Sequence, residues 1–187
     1  MAHQIAVLGL GRFGLTLANE LYQMGHHVLA VDREHQLSQS VIRQLTYTVT
    51  GDVTSTELLE EIGIKNFDTA VVAIGTDVQS SILTTVLLKQ QFKIGTVIAR
   101  ATSDIHGTTL KAVGADRVIY LDQEMCVRTA HRLFERYVIE YMELTSDFGF
   151  SKLTVPEDLV GKSLHEAGFT DGHDSKLSLI HISEPTR

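Results

Sequence analysis

Short apolar runs alternate with amphipathic stretches along most of this chain, and the alternation predicts its elements. Strand-like runs fall near residues 4–8, 27–31, 47–50, 69–74, 96–100 and 117–120. Between them, apolar positions recur at helical spacing near 13–24, 35–44, 55–62, 77–92 and 105–113. Ala70-Val71-Val72-Ala73-Ile74 and Val97-Ile98-Ala99 are apolar without a break, the pattern of parallel strands covered on both faces. Thr54-Ser55-Thr56-Glu57 has the form of a capping box, and Gly25 and Gly114 stand where helices end on a glycine. Strands alternating with helices predict an α/β fold: a doubly wound, Rossmann-like parallel sheet of about six strands.

After Asp122 the pattern changes. Residues 124–144 read as one long helix of about six turns at ~3.6 residues per turn. Val127, Ala130, Leu133, Phe134, Tyr137, Val138, Tyr141 and Met142 form its apolar stripe. The expectation is a connector helix that also packs against a second subunit. Phe150-Ser151-Lys152-Leu153-Thr154-Val155 alternates as a strand, Pro156 ends it, and Ser163 starts a short helix. The predicted organisation is a nucleotide-binding domain over 1–122, a connector and dimerisation helix over 123–146, the truncated start of a second small domain over 147–169, and a tail over 170–187. The tail ends Leu177-Ser178-Leu179-Ile180-His181-Ile182-Ser183-Glu184-Pro185-Thr186-Arg187. That ending resembles an in-frame translation of a transposase adapter used in preparing sequencing libraries, so the tail is read as non-native and set aside from fold reasoning.

Composition narrows the partners. With 43% hydrophobic residues in 187, the chain can bury a core of ordinary size. A formal charge of −7 counts against nonspecific binding to nucleic acid. The single cysteine, Cys126, excludes an internal disulfide and is read as an inert, buried thiol. No apolar stretch approaches the ~20 residues that span a bilayer, and Met1-Ala2-His3-Gln4 leads directly into the first strand. The expectation is a soluble, cytoplasmic protein without direct membrane insertion.

The candidate chemistry lies in the first turn, Gly9-Leu10-Gly11-Arg12-Phe13-Gly14, directly behind the run Ile5-Ala6-Val7-Leu8. Gly9 permits the tight exit from the strand, Gly11 lets phosphate approach the backbone, and Gly14 lets the following helix pack closely on the sheet. That helix aims its unpaired N–H groups and positive dipole end at the phosphate. The second apolar run ends on Asp32, where a carboxylate accepts hydrogen bonds from ribose hydroxyls and repels a 2′-phosphate. Arg33, directly after it, tempers that exclusion. NAD(H), ATP and ADP are therefore favoured over NADP. Arg12 is not required by a plain dinucleotide turn. Ligands of parallel sheets sit at the carboxyl ends of strands, and Asp32, Ile74, Arg100 and Asp122 all lie at or just past such ends. Two arginines beside one polyphosphate suit charge neutralisation better than hydride transfer.

Ordered motifs extend beyond that turn: Val31-Asp32, Gly51-Asp52-Val53-Thr54, Val72-Ala73-Ile74-Gly75, Leu83-Thr84-Thr85-Val86-Leu87-Leu88-Lys89, Gly114-Ala115-Asp116-Arg117-Val118-Ile119 and Asp122-Gln123-Glu124-Met125. On these residues, from about 3 to 169, the chain resembles the gating subunits of bacterial potassium uptake systems, the KtrA/TrkA type, with an RCK N-terminal domain. The resemblance implies a ring of such domains, dimers building an octamer, docked on a membrane-embedded potassium-translocating partner at the inner face of the cell membrane. It implies that ATP and ADP compete for the site and set the state of the pore, with NAD(H) as the alternative nucleotide. Carried over, it gives Arg12 to phosphate, Asp32 to ribose, and Asp52 and Val53 to the adenine edge. Ile74, Gly75 and Thr76 line the site. Arg100 contacts phosphate, with Ala101, Thr102 and His106 nearby. Asp122 aligns with an acid that serves a divalent cation, Mg²⁺ or Ca²⁺, on the phosphates. KtrA-type relatives carry Glu there, and Glu124 is a second candidate.

Three function classes remain open at this point: a nucleotide-gated regulatory subunit of potassium uptake, an NAD-dependent oxidoreductase, and a nucleotide-sensing domain of a potassium efflux channel. The oxidoreductase needs a substrate lobe and an acid or base facing the nicotinamide, and the sequence offers neither.

Overall fold

A computed structural model of the chain describes residues 2–33, 47–134, 138–145, 148–163 and 165–166. The helix predicted at 35–44 and the tail at 170–187 lie outside the described residues. The chain divides into two compact units, residues 1–125 and 126–187.

The first unit is built on six parallel strands: β1 (Gln4–Leu8), β2 (His27–Asp32), β3 (Tyr47–Thr50), β4 (Thr69–Val72), β5 (Thr96–Arg100) and β6 (Arg117–Ile119). Their order in the sheet is β3-β2-β1-β4-β5-β6, so the winding reverses between β1 and β4. Ile5 pairs with Val28 on one side and with Thr69 on the other. Helices α1 (Arg12–Gln23), α2 (Thr56–Glu61), α3 (Val78–Val86) and α4 (Asp104–Ala112) link these strands. The last turn of α3 widens into a π-helix over Leu87–Gln91.

The unbroken apolar runs follow from a core on both faces of the sheet. Side chains alternate across a strand, and β1 divides accordingly. Ala6 and Leu8 join Leu29, Val31, Leu59, Ile64, Val72, Leu88 and Val97 on one face. Ile5 and Val7 join Leu10, Ala18, Val28, Ala30 and Val71 on the other.

Boundaries follow local chemistry. The hydroxyl of Ser55 caps α2, accepting from Leu58 N at 3.2 Å. The cap therefore falls one residue later than the capping box predicts, because Thr54 is bonded to Asp52 instead. Ser103 caps α4 through His106 N. Gly25 and Gly114 end α1 and α4 with positive φ, as their positions predict. Asp116 anchors the start of β5, its Oδ2 accepting from Val97 N at 2.6 Å and from Lys89 Nζ at 3.0 Å.

The region after β6 differs from its prediction. Helix α5 covers Leu121–Phe134, and Val138–Thr145 is a strand, β7, paired antiparallel with β8 (Phe148–Leu153). The single long helix over 124–144 is thus replaced by a shorter helix and a hairpin. Val138-Ile139-Glu140-Tyr141 is rich in residues that favour a pleated strand, and β8 supplies the partner that outweighs the helical spacing. Cys126 is exposed on α5, not buried. The helix predicted from Ser163 falls mostly outside the described residues, of which 165–166 form a turn. Ser163 Oγ accepts from Glu166 N, and Glu166 Oε2 accepts from Ser163 N at 2.8 Å, a reciprocal capping box.

Leu59 is fully buried between α2 and the sheet. Leu59→Ala is expected to lower the unfolding free energy by ~2–5 kcal/mol, measured by urea unfolding; a loss within ~0.5 kcal/mol would contradict this packing.

Candidate functional site

The main cleft, about 830 Å³, opens at the carboxyl ends of β1 and β4, where the strand order reverses. This is where open parallel sheets take ligands. Its floor is the first glycine turn. Gly9 leaves β1 with φ of +98°, a region costly to side chains other than glycine's. Its N–H donates to Val31 O at 2.8 Å. Gly11 caps α1, and no atom lies within 4 Å of where its Cβ would stand. No side chain caps α1, so its first N–H groups remain available for an anion. Gly14 does not line the cleft. It lies beneath, pressed on the Gly9 carbonyl, as close packing of helix on sheet requires. Arg12 and Phe13 stand on the rim as the first residues of α1.

Asp32 ends β2 and lines the cleft. Its Oδ2 accepts from Leu10 N at 2.5 Å, tying the glycine turn to the neighbouring strand end. Arg33 lines the cleft beside it, with Nη2 3.0 Å from Asp52 Oδ2. Asp52 itself is not in the lining, although Gly51 and Val53 are. Its other oxygen, Oδ1, accepts from Thr54 N at 2.9 Å and Thr54 Oγ1 at 2.7 Å. These Thr54 bonds, helped by Arg33, hold the Asp52 carboxyl below its usual range.

Ile74, Gly75 and Thr76 follow β4 into the cleft, as predicted. The predicted strand includes Ala73 and Ile74; β4 ends at Val72, and Ala73 N still donates to Leu8 O at 2.8 Å just beyond it. Arg100, at the end of β5, lays its guanidinium over Gly75, where a Cβ would come within 2.7 Å of Nη1. Its Nε is buried without a hydrogen-bond partner. Asp77 and Ser80 are among the lining residues that the sequence reading did not name as site residues. Asp77 caps α3, its oxygens accepting from Ser80 N at 3.0 Å and Ser80 Oγ at 2.6 Å. These bonds lower the Asp77 carboxyl, with a smaller contribution from the charge of Arg33. The Asp-x-x-Ser spacing before a helix was the available signal. Leu121 completes the wall.

Four other predicted residues stay outside the lining. Ala101 is buried in the core below β5. Thr102 and His106 face each other, with Thr102 Oγ1 3.3 Å from His106 Nδ1. His106 is 2% exposed and its Nε2 is buried without a partner. The Ser103 cap sets His106 on the inner face of α4, with Gly107 and Leu110. Burial pushes the His106 imidazole below its usual pKa. Asp122 is exposed on the first turn of α5, as is Glu124. Among the described residues no three His, Cys, Asp or Glu side chains are placed to hold a metal ion. Asp122 itself is outside the cleft lining, where Leu121 stands instead.

The TrkA-N domain family matches residues 5–121. The chain is similar to Ktr system potassium uptake protein A of Bacillus subtilis, 37% identical over 161 residues, which cover 86% of this chain and 72% of that protein. It is similar in structure to the TrkA-N domain of the inner membrane protein ybaL from Escherichia coli, with a TM-score of 0.63 at 16% identity, over 72% of this chain and 98% of that one. It is also similar to GsuK bound to ADP, with a TM-score of 0.55 at 15% identity, over 90% of this chain and 51% of that one. At these identities the two structural matches establish the fold.

The His106 geometry has a consequence for stability. A buried imidazole with a depressed pKa favours the neutral form, so its contribution is complete above the unfolded value of about 6.5 and is lost as pH falls through the folded value. Chemical unfolding at pH 7.5 and pH 5.5 is expected to show a smaller acid-induced loss in His106→Gln than in the parent. An equal loss in both would contradict the buried neutral imidazole.

Proposed function

Because the chain belongs to the TrkA-N domain family, we propose that it is a nucleotide-binding regulatory subunit of a potassium uptake system, switching a membrane pore without chemistry of its own. The carrying observation is the cleft at the strand switch, where Arg12, Arg33 and Arg100 surround a glycine turn and Asp32. Those groups suit an adenine nucleotide. The uncapped start of α1 takes phosphate, Asp32 takes the ribose hydroxyls, and Val53 takes the base. ATP and ADP are the favoured ligands, with NAD(H) the alternative; the GsuK structures with ADP and with NAD support an adenine nucleotide without choosing between them.

The switch follows from differential affinity. A ligand moves a two-state assembly only as far as it binds the two states unequally. The γ-phosphate of ATP carries charge that Arg12 and Arg100 would bridge, and ADP leaves that bridge unmade. Val78, Leu83, Ile105 and Met125 are exposed apolar side chains on α3, α4 and α5, which favours pairing between copies, as in the expected dimers and octameric ring. No described helix is long and apolar enough to cross a membrane. The proposed attachment to the inner face of the membrane therefore runs through the potassium-translocating subunit.

Calorimetric titration with ATP, ADP and NADH tests the reading, with and without Mg²⁺. The parent is expected to bind ATP and ADP, and Arg12→Ala to lose about ten-fold more affinity for ATP than for ADP, the scale of one charge-assisted hydrogen bond. An Arg12→Ala protein that separates ATP from ADP as the parent does would refute the role of Arg12. Consumption of NADH with a carbonyl or hydroxy-acid substrate would replace the regulatory reading with an oxidoreductase.

A further inference from the structure

We propose that Asp52 is a positioning residue that sets the cleft's preference for nucleotides with a free ribose 2′-hydroxyl, by holding Arg33 away from any 2′-phosphate. The inference rests on the adenine-nucleotide reading above and concerns the same site.

The sequence favours a free 2′-hydroxyl only weakly, because Asp32 and Arg33 pull in opposite directions. A carboxylate at the ribose repels a 2′-phosphate, and an adjacent guanidinium attracts one. Both residues line the cleft. The outcome turns on whether the Arg33 guanidinium is available.

The geometry commits it. Asp32 pairs with Thr50 in the β2–β3 ladder, and Gly51 N donates to Asp32 O at 2.8 Å. That register brings the residues just past the two strand ends together, and Arg33 Nη2 meets Asp52 Oδ2 at 3.0 Å. Asp52 is a fixed partner. Thr54 N–H and Thr54 Oγ1–H both donate to Oδ1 and set the plane of the carboxylate. Oδ2 is then left facing Arg33. Asp77 adds a second negative field on the same guanidinium from the α3 side. The Arg33 and Asp52 side chains are 60% and 45% exposed, so the pair is modest in strength. A modest pair suits selection: the Asp52 carboxylate occupies one guanidinium N–H and offsets the charge that Arg33 would offer a 2′-phosphate, whereas a 2′-hydroxyl makes no demand on Arg33.

The test compares two ligands that differ only by the 2′-phosphate, AMP and adenosine 2′,5′-bisphosphate, in competition against ADP at low ionic strength. The proteins are the parent, Asp52→Asn, Arg33→Ala and the double variant. Asparagine keeps the acceptor for Thr54 and removes the charge, and ADP binding by each variant reports that its cleft is intact. The parent is expected to prefer AMP. Asp52→Asn is expected to narrow that preference roughly five-fold, and to change it little when Arg33 is already alanine. An unchanged preference in an Asp52→Asn protein that still binds ADP overturns the proposal, as does an equal effect of Asp52→Asn with and without Arg33. If the parent fails to bind ADP or AMP at all, the adenine-nucleotide reading itself falls, an outcome distinct from an unchanged preference.

Discussion

The cleft depends on the hydrogen bond from Leu10 N to the carboxylate of Asp32. Parallel strands need long connections, so nothing in the local chain fixes where the end of one strand lies relative to the end of the next. Here β1 and β2 are linked past the end of their ladder, first by Gly9 N to Val31 O and then by Leu10 N to Asp32 Oδ2. A charged acceptor makes the second link stronger than an ordinary backbone bond. It holds the start of α1 and the carboxylate in one frame. Arg12 and Phe13 inherit their positions from that frame.

The three cleft arginines are held in different ways. Arg33 is paired with Asp52. Arg100 is spread on Gly75 with its Nε already buried. Arg12 is exposed at the first position of an uncapped helix. The chain carries a net charge of −7, so this cationic cluster is a local arrangement set by strand ends, not a result of composition.

Much of this was legible in the sequence because its signals are local. Apolar runs, unbroken only in the central strands and interrupted by polar residues in β3 and β6, marked the six strands to within two residues, since burial on both faces of the middle of the sheet leaves little room for polar side chains. Gly9, Asp32 and their neighbours were legible because one βαβ unit holds them all. Residues brought in from further along were harder to place. Asp77 and Ser80 reach the cleft only because β4 inserts beside β1, and the partnership of Asp52 with Arg33 depends on the register of β2 and β3. The resemblance places His106 near phosphate, because sequence shows its distance from Arg100 but not which face of α4 is covered. The hairpin after α5 was missed for a related reason. Tyr137, Val138, Tyr141 and Met142 satisfy a helical period, and only the pairing with β8 decides against it.

The strand order also sets a sequence of events in time. The cleft lies along the seam between β1 and β4, where Ile5 pairs with Thr69, with β2, β3 and α2 threaded between them in the chain. Such distant pairings form late, because the loop they close must lose its freedom before any contact rewards it. Hairpins and single helices can form early, but this seam cannot. The cleft is therefore expected to be completed late in folding, and a ligand that needs it recognises only molecules whose sheet is closed. By mass action such a ligand draws the population toward the completed sheet. A ligand of the cleft would also be the clasp that keeps its newest seam shut.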